Sequence, residues 1–263
     1  MAMLLTADAA DGIDPALAKA QIQQALSHLH QQQTKQASRN QTNGATERGS
    51  RGSTLGGKHL DGFKVFDAWC AQQLGLDADC FQPEIVVPGV MQRSKAWDSA
   101  MLVGDGEFLD QKELVVLTEY KSISCSYGRN FNNRVEEMVG AAISTRKAFQ
   151  ELAPDVPLML RQIFVVVDDG SGELQRAPKP LSGSKVRGFS AKAPYDGLSM
   201  EQRFAKAWQA MHQPGVLWDQ VLLLQCQQGS TNFVEPNPQL GLASSLKDLA
   251  DFIAKARPIF RST

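Results

Sequence analysis

A carboxylate and an ammonium group lie two positions apart in the apolar stretch 114–122, which reads LVVLTEYKS. Because side chains alternate along a strand, Glu119 and Lys121 project from the same face of this predicted strand. Asp98 starts or lies within the preceding predicted strand, and the 21 residues from Asp98 to Glu119 are long enough for a Gly-containing turn and a return, so that the two acids can become neighbours in a meander. The sequence therefore predicts a site of two carboxylates and one lysine.

Two carboxylates beside a lysine suit the hydrolysis of a phosphodiester. Oxygen ligands from Asp98 and Glu119 would hold Mg²⁺, which keeps several waters and takes a phosphate oxygen as a further ligand. Lys121 would orient the attacking water and stabilise charge at phosphorus. The alternative is that Glu119 and Lys121 form a structural charge pair on a strand. Other acids could replace Asp98 in the site, namely Asp61, Asp105, Asp110 and Glu113.

The elements that must position these residues follow from hydrophobic periodicity and from Gly, Pro and Asp punctuation. The sequence predicts helices at 14–33, 60–74, 129–153, 200–211 and 245–256. It predicts strands at 85–90, 96–103, 114–124, 158–167 and 216–226. This order is typical of an α/β domain in which an antiparallel meander is extended by later strands.

The polar segment 31–57 holds four basic residues and one acid, with many Gln, Ser, Thr and Gly. It is predicted to be mobile, either as a linker or as an arm that becomes ordered on phosphates. We therefore expect an N-terminal helix and basic arm at 1–57 and a candidate nuclease domain at 58–263.

Composition excludes several classes of protein. The chain has 263 residues and a formal net charge of −1, so any binding to nucleic acid needs local basic clusters. No apolar run is long enough to span a membrane and the N-terminus does not resemble a secretory signal, so we expect a cytoplasmic protein. Four widely spaced cysteines fit buried free thiols better than a zinc site: Cys70, Cys80, Cys125 and Cys226.

Several motifs, taken in order, resemble the XhoI-like family of type II restriction endonucleases. They lie at 56–63, 97–98, 118–122 and 127–142, and NFNNRVEE at 130–137 is the most specific. That family is assigned to the PD-(D/E)xK nuclease superfamily. The resemblance implies a restriction-endonuclease-like mixed sheet flanked by helices, and Mg²⁺-dependent cleavage of double-stranded DNA that leaves 5′-phosphates.

The resemblance also implies roles for individual residues. Asp98 and Glu119 would bind the metal and Lys121 would assist catalysis, with Trp97 at the position that gives the superfamily name its proline. The family's specificity implies the palindrome CTCGAG, cut after the first C of each strand. It implies a homodimer that reads the two half-sites, and a cognate DNA methyltransferase that acts on the same site.

The motif after the predicted strand suggests a phosphate contact. Asn133 is expected in the first turn of a helix, where an anion is favoured, and Arg134 and Glu137 follow on that helix. Glu137 could instead act as an outer metal ligand or hold Lys121, or it could form a surface ion pair with Arg134. Candidate base-reading residues lie in three places: Lys58 and His59, Arg129 and Asn130, and Lys185 and Arg187.

Two other functions fit the same residues. One is a structure-specific repair or recombination nuclease that cuts branched DNA without a fixed sequence. The other is a non-catalytic DNA-binding protein in which Glu119 and Lys121 are only structural.

Overall fold

The computed structural model describes residues 13–42, 55–178 and 195–256, which form an α/β fold. The helices are α1 (Pro15–Thr42), α2 (Asp61–Gln73), α3 (Tyr127–Leu152), α4 (Met200–Met211) and α5 (Leu242–Ala256). The strands are β1 (Phe81–Gln82), β2 (Ile85–Pro88), β3 (Ser94–Trp97), β4 (Ser99–Val103), β5 (Leu114–Ile123), β6 (Leu158–Asp168), β7 (Gln220–Gln227) and β8 (Phe233–Val234).

Six strands form one mixed sheet in the order β1-β4-β5-β6-β7-β8. The pairs β4–β5 and β7–β8 are antiparallel, whereas β5–β6 and β6–β7 are parallel, and α3 connects β5 to β6. The remaining strands, β2 and β3, form a separate antiparallel hairpin. The predicted mixed sheet flanked by helices is thus confirmed.

The sheet is covered on both faces. Side chains of α1, α2 and α5 pack on one face, and those of α3 and α4 pack on the other. Because both faces are buried, β5 and β6 are continuous apolar runs rather than alternating ones. Polar side chains within these strands are therefore exceptions that need a reason.

The predicted strand 96–103 is wrong in one respect that matters, because it is divided at Asp98. Residues before Asp98 form β3 in the hairpin, and residues after it form β4 in the main sheet. Trp97 is buried on the α3 and α4 face, where its ring lies 5.8 Å from that of Trp218. Val87 of the hairpin belongs to the same core, so the hairpin packs on the α3 and α4 face.

Other boundaries also differ from the prediction. Helix α1 continues to Thr42, into the segment predicted to be mobile from residue 31, because Gln, Lys, Ala and Arg have a high helix propensity. Helix α5 begins at Leu242, so Ser245 lies in its first turn and donates its N–H to the carbonyl of Gly241. Residues 43–54 of the expected arm lie outside the described residues.

Two further expectations concern the cysteines and the membrane. All four cysteines are free, and Cys70 and Cys226 are buried as expected. The expectation is wrong for Cys125, which is exposed just before α3, and Cys80 is only half-buried. Among the described residues, no helix combines the length and apolar character required to cross a membrane.

Candidate active site

Asp98 is held against the strand that carries the other site residues. It occupies the break between β3 and β4, and its Oδ2 accepts a hydrogen bond of 2.8 Å from the backbone N–H of Tyr120. Because Tyr120 separates Glu119 from Lys121, this bond fixes Asp98 within one residue of both. The antiparallel pairing of β4 with β5 brings the three predicted residues together.

Glu119 lies between two lysines. Its Oε1 is 2.9 Å from Nζ of Lys121 and 2.8 Å from Nζ of Lys95. The Glu119 side chain is only 5% exposed, whereas Lys95 and Lys121 are 14% and 27% exposed. The carboxylate is thus buried beneath two ammonium groups that reach towards solvent.

Charge and burial act on the two acids in opposite ways. Burial would raise the pKa of Glu119, but Lys121 and Lys95 together hold that pKa below its ordinary value. Burial raises the pKa of Asp98 above its ordinary value; the Tyr120 N–H and the charge of Lys121 oppose this rise, while the charge of Glu119 adds to it. A further cation near Asp98, such as a metal ion, would therefore stabilise its charged form.

Lys95 is a site residue that sequence reasoning missed. It belongs to the β2–β3 hairpin, and its Nζ lies 5.1 Å from the centre of the Trp97 ring. In the sequence it lies outside the predicted strand and carries no motif. Only the division of that strand at Asp98 shows that the hairpin brings Lys95 to Glu119.

The opposite face of β5 carries a second polar cluster, which we call the rear cluster: Asp67, Ser99, Tyr120 and Arg161. Arg161 donates to Oδ1 of Asp67, while Tyr120 Oη and Ser99 Oγ donate to its Oδ2 at 2.7 and 3.0 Å. Ser99 follows Asp98, and Tyr120 follows Glu119. The rear cluster therefore joins both acid-bearing segments to α2 and β6.

His59 lies close to the end of β5. Its Nε2 is 3.1 Å from Oγ of Ser122, and its Nδ1 is buried without a hydrogen bond. Burial lowers the pKa of His59, Asp61 opposes this, and the charges of Arg134 and Lys121 lower it further. His59 is thus near the lysine of the site and the start of α3, and Lys58 beside it is exposed.

The first turns of α3 differ from the expectation. The helix begins at Tyr127, so Asn133 is exposed in the second turn rather than placed in the first. Arg134 Nη1 pairs with Glu137 Oε2 at 2.6 Å, and both side chains are partly exposed. Since Glu119 is the acid that pairs with Lys121, Glu137 does not hold that lysine in this structure.

The other candidate residues are more scattered. Arg129 is exposed in the first turn of α3, and the Asn130 amide donates to the carbonyl of Cys125 at 3.2 Å. Lys185 and Arg187 lie outside the described residues.

The rival acids are not beside Glu119. Asp61 pairs with Lys64 at 3.1 Å on α2. Asp105, Asp110 and Glu113 precede β5, and Glu113 is about 20 Å from Glu119 along the strand at about 3.3 Å per residue.

The donor set fits a hydrated Mg²⁺ ion. Both lysines contact Oε1 of Glu119, and the Tyr120 N–H binds Oδ2 of Asp98. Among the described residues, the other carboxylate oxygens, Oε2 of Glu119 and Oδ1 of Asp98, have no hydrogen bond or ion pair. Carboxylate oxygens are the ligands that Mg²⁺ prefers, and it needs only one or two of them. No group of three or more His, Cys, Asp or Glu side chains suited to a metal occurs in the described part of the chain.

Comparison with known proteins places this chain in a family. Residues 39–179, more than half of the chain, match the family described as restriction endonuclease XhoI. The chain belongs to the XhoI restriction endonuclease family. Asp98, Glu119 and Lys121, together with Lys95 and Arg161, all fall within the region that matches the XhoI family.

Curated relatives of the XhoI family agree with this match. The chain is 36% identical over 127 residues to the type II restriction enzyme XhoI of Xanthomonas vasicola, across 46% of this chain and 48% of that protein. It is 36% identical over 108 residues to BstVI of Geobacillus stearothermophilus, a type II restriction enzyme, across 40% and 47% of the two chains. A third relative is the type II restriction enzyme AbrI of Azospirillum brasilense, 34% identical over 98 residues, 36% of this chain and 41% of that protein.

The chain therefore spans about half the length of the curated relatives it matches. No solved structure matches it.

Proposed function

We propose that this protein is a Mg²⁺-dependent type II restriction endonuclease that hydrolyses double-stranded DNA. The observation that carries the proposal is the meeting of Asp98, Glu119 and Lys121 at the β4–β5 pair, in a chain of the XhoI restriction endonuclease family. A structural charge pair would not require a second acid fixed beside it by a backbone hydrogen bond.

The side chains divide the work of hydrolysis. Asp98 and Glu119 would hold the ion, which when bound polarises the phosphate and lowers the pKa of a coordinated water. Lys121, fixed by its contact with Glu119, orients the attacking water and stabilises the charge that grows on the phosphate oxygens. Lys95 keeps the Glu119 carboxylate charged and oriented.

The DNA would approach the side on which the two lysines reach solvent. Lys58 and His59 flank this side, and Arg129, Asn130 and Arg134 lie on the first turns of α3. Guanidinium groups and amides at these positions suit phosphate contacts and base edges in the major groove. We propose the same role for Asn133, Lys185 and Arg187.

The proposed target is the palindrome CTCGAG, cut after the first C of each strand to leave 5′-phosphates. A palindrome is read by a two-fold dimer, so we propose a homodimer in which each protomer cuts one strand. A cognate methyltransferase would protect host DNA at the same site, and both would act in the cytoplasm.

Digestion of a long, sequenced, unmethylated DNA tests the proposal. The purified protein is incubated with Mg²⁺ or with EDTA, and every cut end is mapped. We expect discrete Mg²⁺-dependent ends at CTCGAG. Discrete ends at another palindrome would support the proposed restriction activity but reject CTCGAG as the target.

Three variants test the site assignment. Glu119→Ala and Lys121→Ala should abolish cleavage and leave folding and dimerisation intact. Glu151→Ala, at an exposed position near the end of α3, is the matched control and should cut like the wild type. Cutting of branched DNA without fixed ends, or DNA binding without product under any metal, would replace the proposal with the repair-nuclease or binding-protein alternative.

A further inference from the structure

Gln162 is buried without a partner. Its side chain is fully inaccessible in the middle of β6, and neither Oε1 nor Nε2 has a hydrogen bond. Buried amides are almost always hydrogen-bonded, because leaving one unpaired costs its full desolvation. None of the described residues satisfies this amide, so its partner would be a water or a bound ligand.

The register of the sheet places this amide beside the acid of the site. In the parallel β5–β6 pair, Gln162 is directly opposite Glu119. The pairs on either side, Leu117 with Leu160 and Lys121 with Phe164, include core residues of the α3 and α4 face. Alternation then places the Glu119 and Gln162 side chains next to each other on that same face.

The two side chains leave complementary atoms unused. Both lysine contacts of Glu119 are made by Oε1, and no contact from the described residues engages its Oε2. The adjacent amide offers a carbonyl oxygen, which is a hard neutral ligand, and two N–H donors. A hydrated divalent cation is the partner that would use both groups.

We propose that Gln162 is a further residue of the metal site, whose amide oxygen holds the divalent cation or one of its waters beside Glu119. This inference rests on the proposed nuclease function and adds a residue to its site. The two carboxylates, of Asp98 and Glu119, balance the two ammonium groups, of Lys95 and Lys121. A neutral ligand therefore completes the site and leaves the positive charge of the ion available to the phosphate.

The test replaces the amide with an apolar side chain of similar length, Gln162→Met. Binding of Mn²⁺ is measured without DNA by the loss of its free-ion electron paramagnetic resonance signal. Glu119→Ala sets the level for a lost site. We expect Gln162→Met to weaken Mn²⁺ binding at least about tenfold.

Thermal unfolding without metal supplies a second readout. Removing a buried unpaired amide should raise Tm by about 2–4 °C, whereas a residue with a structural role would lower it. Gln220→Met is the matched control, because Gln220 is equally buried on the opposite face but its Nε2 donates to the carbonyl of Ser245, with only its Oε1 unpaired among the described residues. This control should have a lower Tm than the wild type and the same affinity for Mn²⁺.

Three results would overturn the inference. One is Mn²⁺ binding by Gln162→Met that equals the wild type; if the wild type also cuts DNA, the proposed function stands and only the role of Gln162 falls. Another is Mn²⁺ binding by the wild type that is no tighter than binding by Glu119→Ala. That result would reject the metal site itself. If Gln162→Met does not fold, Gln162→Glu decides: an added carboxylate should tighten Mn²⁺ binding at least about threefold, and unchanged binding rejects the inference.

Discussion

The two faces of β5 each carry a buried acid paired with a basic residue, but the two arrangements differ. In the rear cluster, Asp67 and Arg161 are both fully inaccessible, and each carboxylate oxygen of Asp67 accepts at least one hydrogen bond. On the other face, Glu119 is buried while Lys95 and Lys121 reach solvent. The rear cluster is closed to solvent, although Nε and Nη2 of Arg161 have no hydrogen bond among the described residues, whereas the cluster around Glu119 is open on one side.

The difference indicates what each cluster does. A closed acid–base pair can only be broken at a cost, so it holds α2, β4, β5 and β6 in place. An open cluster with a free carboxylate oxygen can exchange a lysine contact for a cation or a phosphate. Alternating residues of β5 thus serve two purposes: Tyr120 on one face stabilises the fold, and Glu119 and Lys121 on the other belong to the candidate active site.

The largest effect on stability is expected in the rear cluster. Asp67→Leu leaves Arg161 buried without its counter-ion and should lower the free energy of unfolding by about 3–5 kcal/mol, measured by urea denaturation. The double variant Asp67→Leu/Arg161→Met removes both charges and should recover much of that loss. A double variant as unstable as the two single variants summed would contradict the role of the pair.

Lys95→Met tests the open cluster. We expect cleavage to fall about 10–100-fold, because Glu119 loses one of its two orienting cations, while Tm changes little. Lys112→Met, at a partly buried lysine before β5, is the matched control and should keep its activity. Wild-type cleavage by Lys95→Met would show that Lys121 alone orients the carboxylate.

Tyr120→Phe separates the side chain of the rear cluster from the backbone of the site. Loss of the hydroxyl removes a hydrogen bond to the Asp67 carboxylate and should cost about 1.5–3 kcal/mol of unfolding free energy. The Tyr120 N–H still binds Asp98, so cleavage by the folded enzyme should stay close to the wild-type rate. A large drop in kcat at full folding would mean that the two faces are coupled.

Arg134→Gln should give the smallest effect on folding. The Arg134–Glu137 pair is partly exposed, and its loss should change the unfolding free energy by less than about 1 kcal/mol. If Arg134 contacts a phosphate, the slope of log Kd against log salt should decrease by about one. Glu137→Gln breaks the same ion pair but keeps the Arg134 guanidinium. An equal decrease of the salt slope in that variant would show that the ion pair, and not a phosphate contact of Arg134, causes the decrease.

The parts of the fold that could be predicted are those with a clear period. Helix α4 was predicted at its observed bounds, and β5 to within one residue, because apolar residues recur there at the spacing of the element. The extension of α1 could not be predicted, since its polar end has no apolar period. The break at Asp98 was also missed, because it depends on where Trp97 packs.

The site could be predicted only in part for a similar reason. Asp98, Glu119 and Lys121 come together because an antiparallel pair joins segments close in sequence. The position of Lys95 depends on how the β2–β3 hairpin packs beside Glu119. The position of Gln162 depends on the parallel register of β5 and β6, which are connected through α3. A single polar residue within an apolar strand pattern gives no signal of the neighbour it will meet.

The Asp67–Arg161 pair also links the timing of two elements during synthesis. The partners are 94 positions apart, so α2 leaves the ribosome long before the strand that neutralises its carboxylate. Until β6 pairs with β5, docking α2 would bury an uncompensated charge, which favours a single cooperative step for both elements. Because Tyr120 and Ser99 bind the same carboxylate, Glu119 and Asp98 gain their support in that step, and a half-made chain does not display an assembled site.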